Sequence, residues 1–306
     1  MGPGLYASMS EVFGFLVAYG GYNIFVLSRE ASVEKSKELG AQFLAADYSS
    51  PASLVSVLEF NNIDTVISTL SSMIGADPEL ALIKAASASK VTRRYIPSMW
   101  GVKYTTDVAA IYPLAHDHIA ALDALNASTL EHASVSNGFF LDYWGFPHVK
   151  SYLGPFPVVL DIANNAAAIP ASGDVPVAFT YSFDVGRFVG KLLAESEWDK
   201  DYTIVGDKLS WNEFLALAEE VKGVKFDVKH DSLETLQLGR ISELPGHVPL
   251  YPFFPKESLQ GMCSMFEMLM AKGFLNLERS GSLNEKFPDV KTKSARELVT
   301  EAWKGK

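Results

Sequence analysis

Between residues 22 and 136 the sequence switches repeatedly between short β-branched runs and stretches of helical period, and this alternation leaves very few architectures open. Tyr22–Leu27 reads as a strand, Gln42–Ala45 as a short one ending at Asp47, and Thr65–Leu70 as a strand buried on both faces. Arg94–Pro97 and Ala133–Ser136 complete the series. Helices fill the gaps. Ser50 before Pro51 is an N-cap with proline at the first helical position, ahead of Leu54, Val55 and Leu58, and Asp77-Pro78 repeats the device to open a helix reaching Ala88. A further helix runs from Pro113 to Ala127, with Leu114, His118, Leu122 and Leu125 along one side. Strands alternating with helices at this spacing predict a doubly wound α/β fold, a parallel sheet covered on both faces, whose ligands sit at the carboxyl ends of the strands.

After residue 146 the texture changes. Pro147, Gly154, Pro155, Pro157, Pro170, Gly173 and Pro176 punctuate short apolar runs such as Val158–Leu160 and Val177–Thr180. The chain is therefore expected to divide into a doubly wound domain over residues 1–146 and a smaller α+β lobe over 147–306, with a strand at 202–206 returning to the main sheet. Within the lobe, Asp184–Leu193 reads as a helix, and Ser210 with Glu213 forms a capping box ahead of Phe214, Leu217 and Val221. Pro249–Pro255 and Met262–Met270 read as core or packing surface, part of which is suited to line a pocket for an apolar or aromatic ligand. The closing segment 291–306 reads as a charged helix with a solvated face.

Charge narrows the partners. Asp and Glu outnumber Lys and Arg by 36 to 26, a net charge of -10, which is the wrong sign for a nucleic-acid binder or an anionic membrane surface. Small molecules or proteins remain, with a homodimer or a regulatory protein partner both open. The apolar stretch Val12–Leu27 follows no Lys or Arg, is broken by Gly14, Gly20, Gly21 and Asn23, and is shorter than the roughly 20 residues of a membrane span. It parses as a helix over Ser8–Tyr19, a Gly20-Gly21 turn and the first strand, and a cytoplasmic location follows from that reading. The single cysteine, Cys263, stands in an apolar run and reads as a packed thiol.

Several chemistries fall away. The chain has neither a Gly-x-Ser-x-Gly elbow nor a Walker phosphate loop. His116 and His118, two apart on a helix, point about 200° from one another and so do not share a metal ion. Dinucleotide binding remains. Ser28 and Arg29 close the Tyr22–Leu27 strand where such folds meet the adenosine ribose, and arginine there suits a 2′-phosphate, favouring NADP(H) over NAD. Asp47 falls where the adenine would lie, and Thr69-Leu70-Ser71-Ser72 where the pyrophosphate and nicotinamide ribose would pass.

Phe25–Arg29, Asp64–Leu70, Arg94–Ser98 with Trp100-Gly101, and Asn137–Trp144 resemble NmrA-like, isoflavone-reductase-like proteins, an atypical branch of the short-chain dehydrogenase/reductase superfamily. Val177–Thr180, Thr203–Asp207, Trp211–Phe214 and Tyr251–Lys256 look like the forms common in fungal members, and the similarity runs from about residue 11 to the end. The resemblance implies a Rossmann-type domain binding NADP(H), with a smaller C-terminal substrate lobe, and an enzyme that reduces aromatic or phenolic secondary metabolites. It would place the 2′-phosphate on Arg29, the cofactor along Thr69, Leu70 and Ser71, the nicotinamide near Ser98, and Asn137, Gly138 and Phe139 at the border of nicotinamide and substrate.

Two departures from the family pattern stand out. Its first strand and Gly-Gly-Thr-Gly-x-x-Gly loop, which lets backbone N–H groups approach the pyrophosphate, are expected to be missing. Counted back from Arg29, the loop glycines fall on Gly4, Tyr6 and Met9, so only Gly4 is kept. The family's active-site lysine is matched most nearly by His118, which could act as a general acid with a pKa near neutrality or hydrogen-bond the ribose. Tyr112, Tyr143 and His116 are secondary candidates. Three readings follow: an NADPH-dependent reductase of an aromatic substrate, a catalytically inactive NADP-sensing or protein-binding regulator, and a truncated form unable to hold the cofactor.

Overall fold

A computed structural model of the chain describes residues 21–71, 73 and 75–306. The helix expected over Ser8–Tyr19, and Gly4 with the altered loop, lie outside the described residues. The N-terminal half is built from β1 (Phe25–Ser28), α1 (Val33–Leu39), β2 (Gln42–Ala45), α2 (Pro51–Phe60), β3 (Thr65–Ile67), α3 (Asp77–Ala88), β4 (Arg94–Ile96), α4 (Thr106–Ala109), α5 (Ala115–Asn126), β5 (Glu131–His132) and β6 (Ser134–Ser136). β1 pairs in parallel with β2, and β3, β4 and β5 pair in parallel in that order. β6 continues the line of β5 and takes β11 (Asp201–Thr203), from far along the chain, as its parallel neighbour.

Helices cover both faces of these strands, as the doubly wound class requires. On one side Leu54 and Leu58 of α2, Leu82, Ile83 and Ala86 of α3, and Ala121 and Leu125 of α5 pack on Val66 and Tyr95. On the other, Val185, Phe188, Val189 and Leu192 of α6 (Ser182–Leu193) pack on Ile96 and Val135. Burial of each of these large side chains stabilises the fold by about 1.5–3 kcal/mol against an exposed reference.

The local signals hold in most places. The Ser50 side chain accepts a hydrogen bond from the Ser53 N–H, with Pro51 opening α2, and the Ser210–Glu213 capping box is formed at the start of α7 (Trp211–Lys222). Others are corrected. Asp77 is the first residue of α3 and caps nothing; the preceding Ala76 provides no side-chain hydrogen bond, and proline merely fixes the first turn. The strand expected to reach Leu70 stops at Ile67; the Ser68 N–H still donates to the Ile96 carbonyl at 2.7 Å, but the Leu70 N–H turns back to the Ser68 hydroxyl at 3.4 Å.

Two further three-stranded sheets follow. β10 (Val177–Thr180) lies between β7 (Phe139–Phe140) and β12 (Asp207–Leu209), and β9 (Ala166–Pro170) between β8 (Leu160–Asp161) and β13 (Asp227–Asp231). Phe179, Trp211, Phe214 and Trp144 interlock at ring separations of 5.2–5.9 Å. The terminal helix, α11 (Ala295–Trp303), is no merely solvated face: Leu298, Val299, Ala302 and Trp303 are buried, and the Trp303 indole donates to the Trp144 carbonyl at 2.7 Å. Its apolar residues at i, i+3, i+4 and i+7 outweigh its charges. No described helix is long and apolar enough to cross a membrane.

Candidate active site

Two hollows open near the carboxyl ends of the strands, and between them they hold six of the expected site residues. The wider, of about 520 Å³, lies beyond β1 and β2 and is lined by Arg29, Ala45, Ala46, Asp47, Tyr48, Ser49 and Ser53. Arg29 is exposed on its wall, and among the described residues no acid forms an ion pair with it. A guanidinium left unpaired beside a cavity is suited to a phosphate, which it can bind through two parallel hydrogen bonds. Asp47 spends its carboxylate on the turn, accepting from the Ser49 N–H at 2.9 Å and its hydroxyl at 2.6 Å, which holds it below the usual carboxylate range. Ser28 does not line the hollow; its hydroxyl donates to the Glu30 carbonyl.

The second hollow is a narrow crevice with room for about one water molecule, lined by Leu70, Ser71, Gly75, Ala76, Glu79, Ser98, Met99, Asp117, His118 and Ala121. Leu70 with Ser71, Ser98 and His118, named from three separate stretches of sequence, therefore converge. Tyr48 connects the two hollows electrostatically: burial and the nearby Glu79 charge push its phenol up to about 12, while Arg29 opposes them.

His118 is buried, and its ring stacks on Tyr104 at 3.9 Å and 16°. Burial pushes the imidazole down to about 4, against the pull of the Ser98 main chain. A neutral imidazole has one N–H to donate and one ring nitrogen with a lone pair to accept. Burial of this kind favours the neutral ring at pH 7 and so works against the general-acid role expected from the sequence. His116, two residues away, is exposed, and no group of three metal-ligating side chains occurs among the described residues.

Asn137, Gly138 and Phe139 line neither hollow. Asn137 is fully buried with neither its amide nitrogen nor its oxygen hydrogen-bonded, and the buried Thr69 hydroxyl is likewise unanswered. Leaving such groups unpaired costs about 1–3 kcal/mol each, so both are marked as groups that gain from a polar ligand. Gly138 is dictated by packing: at φ +71° an added Cβ would lie 2.1 Å from the Ala178 carbonyl oxygen. Phe139 joins Tyr143 and Phe266, each at 5.7 Å, and Phe266 in turn meets Tyr112 at 5.7 Å, an aromatic wall contributed by both halves of the molecule. Sequence reasoning missed Glu79, Ser68, Tyr95 and Tyr104. An acid in the first turn of a helix ordinarily reads as a complement to the helix dipole, and nothing in its spacing marks Glu79 further.

The residues present fit a dinucleotide at its adenosine end, where cavity, unpaired guanidinium and strand termini coincide, and the orphaned Thr69 and Asn137 groups suit its polar remainder. Comparison with known proteins agrees with that chemistry. Residues 10–293 match the NmrA-like family. Oxidoreductase BOA1 of Botryotinia fuckeliana (strain B05.10) is 32% identical over 279 residues, covering 90% of this chain and 89% of that protein. Among solved structures, the binary complex of leucoanthocyanidin reductase with NADPH from Vitis vinifera superposes with a TM-score of 0.72 at 16% identity, over 95% of this chain and 94% of the other. AtPrR2 with NADP+ and (+)pinoresinol gives 0.71 at 18%, over 96% and 94%. At such identities the structural likeness is one of fold.

Proposed function

The chain belongs to the NmrA-like family, and from that premise we propose that it is an NADPH-dependent oxidoreductase acting on an aromatic or phenolic metabolite. The observation that carries the reading is the convergence of Leu70, Ser71, Ser98 and His118 on one crevice, beside a larger hollow walled by Arg29. Arg29 would bind the 2′-phosphate, Asp47 and Ser49 would flank the adenine, and Thr69, Leu70, Ser71 and Asn137 would meet the ribose and pyrophosphate. When bound, the cofactor supplies a hydride for the electrophilic carbon of the substrate. His118 would accept a hydrogen bond at its lone-pair nitrogen and orient a hydroxyl. The product proton then comes from water rather than from His118. Tyr112, Phe139, Tyr143 and Phe266 supply the apolar wall on which an aromatic substrate would lie.

Substrate-dependent NADPH oxidation across a panel of phenolic and quinonoid compounds tests this reading, with kcat for an active compound followed from pH 6 to 8. The expected result is turnover with no ionisation near the ordinary histidine value of about 6.5. Absence of turnover across the panel, with NADPH tightly bound, would instead support a dinucleotide-sensing role, to which a histidine without a spare proton is equally suited.

A further inference from the structure

The crevice holds a carboxylate that no expectation from sequence included and that no full positive charge answers. Glu79 reaches from the first turn of α3 into the space between the ends of β3 and β4. Its Oε2 accepts from the Ser68 hydroxyl, and its Oε1 accepts from the Tyr95 hydroxyl at 3.1 Å and the Ser98 N–H at 3.4 Å. Three polar donors hold it, yet among the described residues no lysine, arginine or histidine forms an ion pair with it. The other ionisable groups around it do not supply one. From α5, Asp117 and the buried His118 line the same crevice; the Tyr95 phenol comes from β4, and Tyr48 approaches from the turn after β2. Asp77 shares the first turn of α3, and Lys84, farther along that helix, is exposed. α2 packs on α3 as well, but its Glu59 accepts from the Lys90 N–H beyond the far end of α3. Burial holds the Glu79 carboxyl above the usual range and keeps His118 neutral beside it.

We infer that Glu79 couples dinucleotide binding to a proton: when the phosphates of a dinucleotide come to lie along the 69–71 turn, the Glu79 carboxylate beside them takes up one proton from solvent. Two like charges brought together in a crevice without a counter-ion disfavour one another, and of the two the carboxylate is the one that can be neutralised. The hydrogen bonds decide where the proton goes. The Ser98 backbone N–H cannot turn away from Oε1, so that oxygen remains an acceptor. The Ser68 hydroxyl can rotate, so Oε2 takes the proton and donates it to the Ser68 oxygen. The carboxyl then keeps its contacts and loses only its charge. In the complex it holds its proton to a higher pH than in the free chain. Affinity for the dinucleotide therefore falls as pH rises between those two values, by up to about tenfold per unit. Glutamine is the permanently neutral counterpart, its oxygen serving Tyr95 and Ser98 and its NH₂ turned toward the Ser68 oxygen.

The inference rests on the dinucleotide reading, and the test separates the two. Calorimetric titration of the intact chain with NADP+ from about pH 5 to pH 8, in paired buffers of different ionisation enthalpy, counts the protons taken up on binding. Any contribution from the 2′-phosphate is common to wild type and Glu79→Gln, so the difference between the chains belongs to Glu79. The expected result is an uptake by the wild type that exceeds that of Glu79→Gln by about half a proton or more at its maximum. Wild-type affinity should also fall more steeply with pH, leaving Glu79→Gln the tighter binder at pH 8 by about threefold or more. Equal uptake in the two chains would overturn the inference and leave the cofactor reading standing; so would an uptake lost in Asp117→Asn and kept in Glu79→Gln. Should Glu79→Gln fail to fold, infrared difference spectra of the wild type carrying 13C-labelled glutamate decide. A protonated glutamate carboxyl band that appears on adding NADP+ supports the coupling, and its absence refutes it. Failure of the wild type to bind NADP+ at any pH would overturn both the cofactor reading and the coupling.

Discussion

Glu267 illustrates how much a single side chain can set. It is fully buried in α9 (Lys256–Ala271), neither carboxylate oxygen has a hydrogen-bond partner, and burial, reinforced by the charge of Asp231, holds its carboxyl well above the usual range. A carboxyl whose folded value is raised binds its proton more tightly in the folded state, so stability falls as pH rises above the unfolded value of about 4.5. Glu267→Met, of similar volume and apolar, is expected to stabilise the protein by about 1–3 kcal/mol at pH 7. The gain should shrink toward pH 4.5 by up to about 1.4 kcal/mol per pH unit. Urea denaturation at several pH values measures it; a gain that does not vary with pH, or a loss, would contradict the assignment. Cys263, one turn earlier, is buried and its thiol pushed upward by burial, in line with the packed thiol read from its apolar neighbours.

At the scale of elements, legibility followed the locality of the signal. Ser50-Pro51 and Ser210–Glu213 could be read because a cap is complete within four residues. Arg29 could be placed because it closes a strand whose β-branched run is visible. Glu79 could not, because its meaning depends on Ser68, Tyr95 and Ser98, which only the crossing of α3 over two strands brings together. The terminal helix was misread for a related reason: its charges are local, whereas the partner of Trp303 is Trp144, far back in the chain. That helix packs on α7 and on the turn at residues 141–144, with Lys222 above the Trp303 ring and His148 against its edge. Trp303→Ala should therefore cost about 3–5 kcal/mol. Chemical denaturation checks it, and a cost below about 1 kcal/mol would return the helix to the status of a solvated appendage.

In the whole molecule the strands of the two halves of the chain are interwoven. β11 completes the sheet beside β6, and β7 leaves β6 through Asn137 and Gly138 to pair with β10. The aromatic cluster forms where β7 meets α9, through Phe139 and Phe266. Everything in the functional account depends on the cofactor being NADPH, held through Arg29. The deciding measurement is the calorimetric Kd of NADPH and NADH for the intact chain and for Arg29→Ala. The account predicts that the wild-type chain binds NADPH at least about tenfold more tightly than NADH, and that Arg29→Ala abolishes this preference while leaving NADH unchanged. Equal affinities in the wild-type chain, or an NADPH affinity untouched by the substitution, would contradict it.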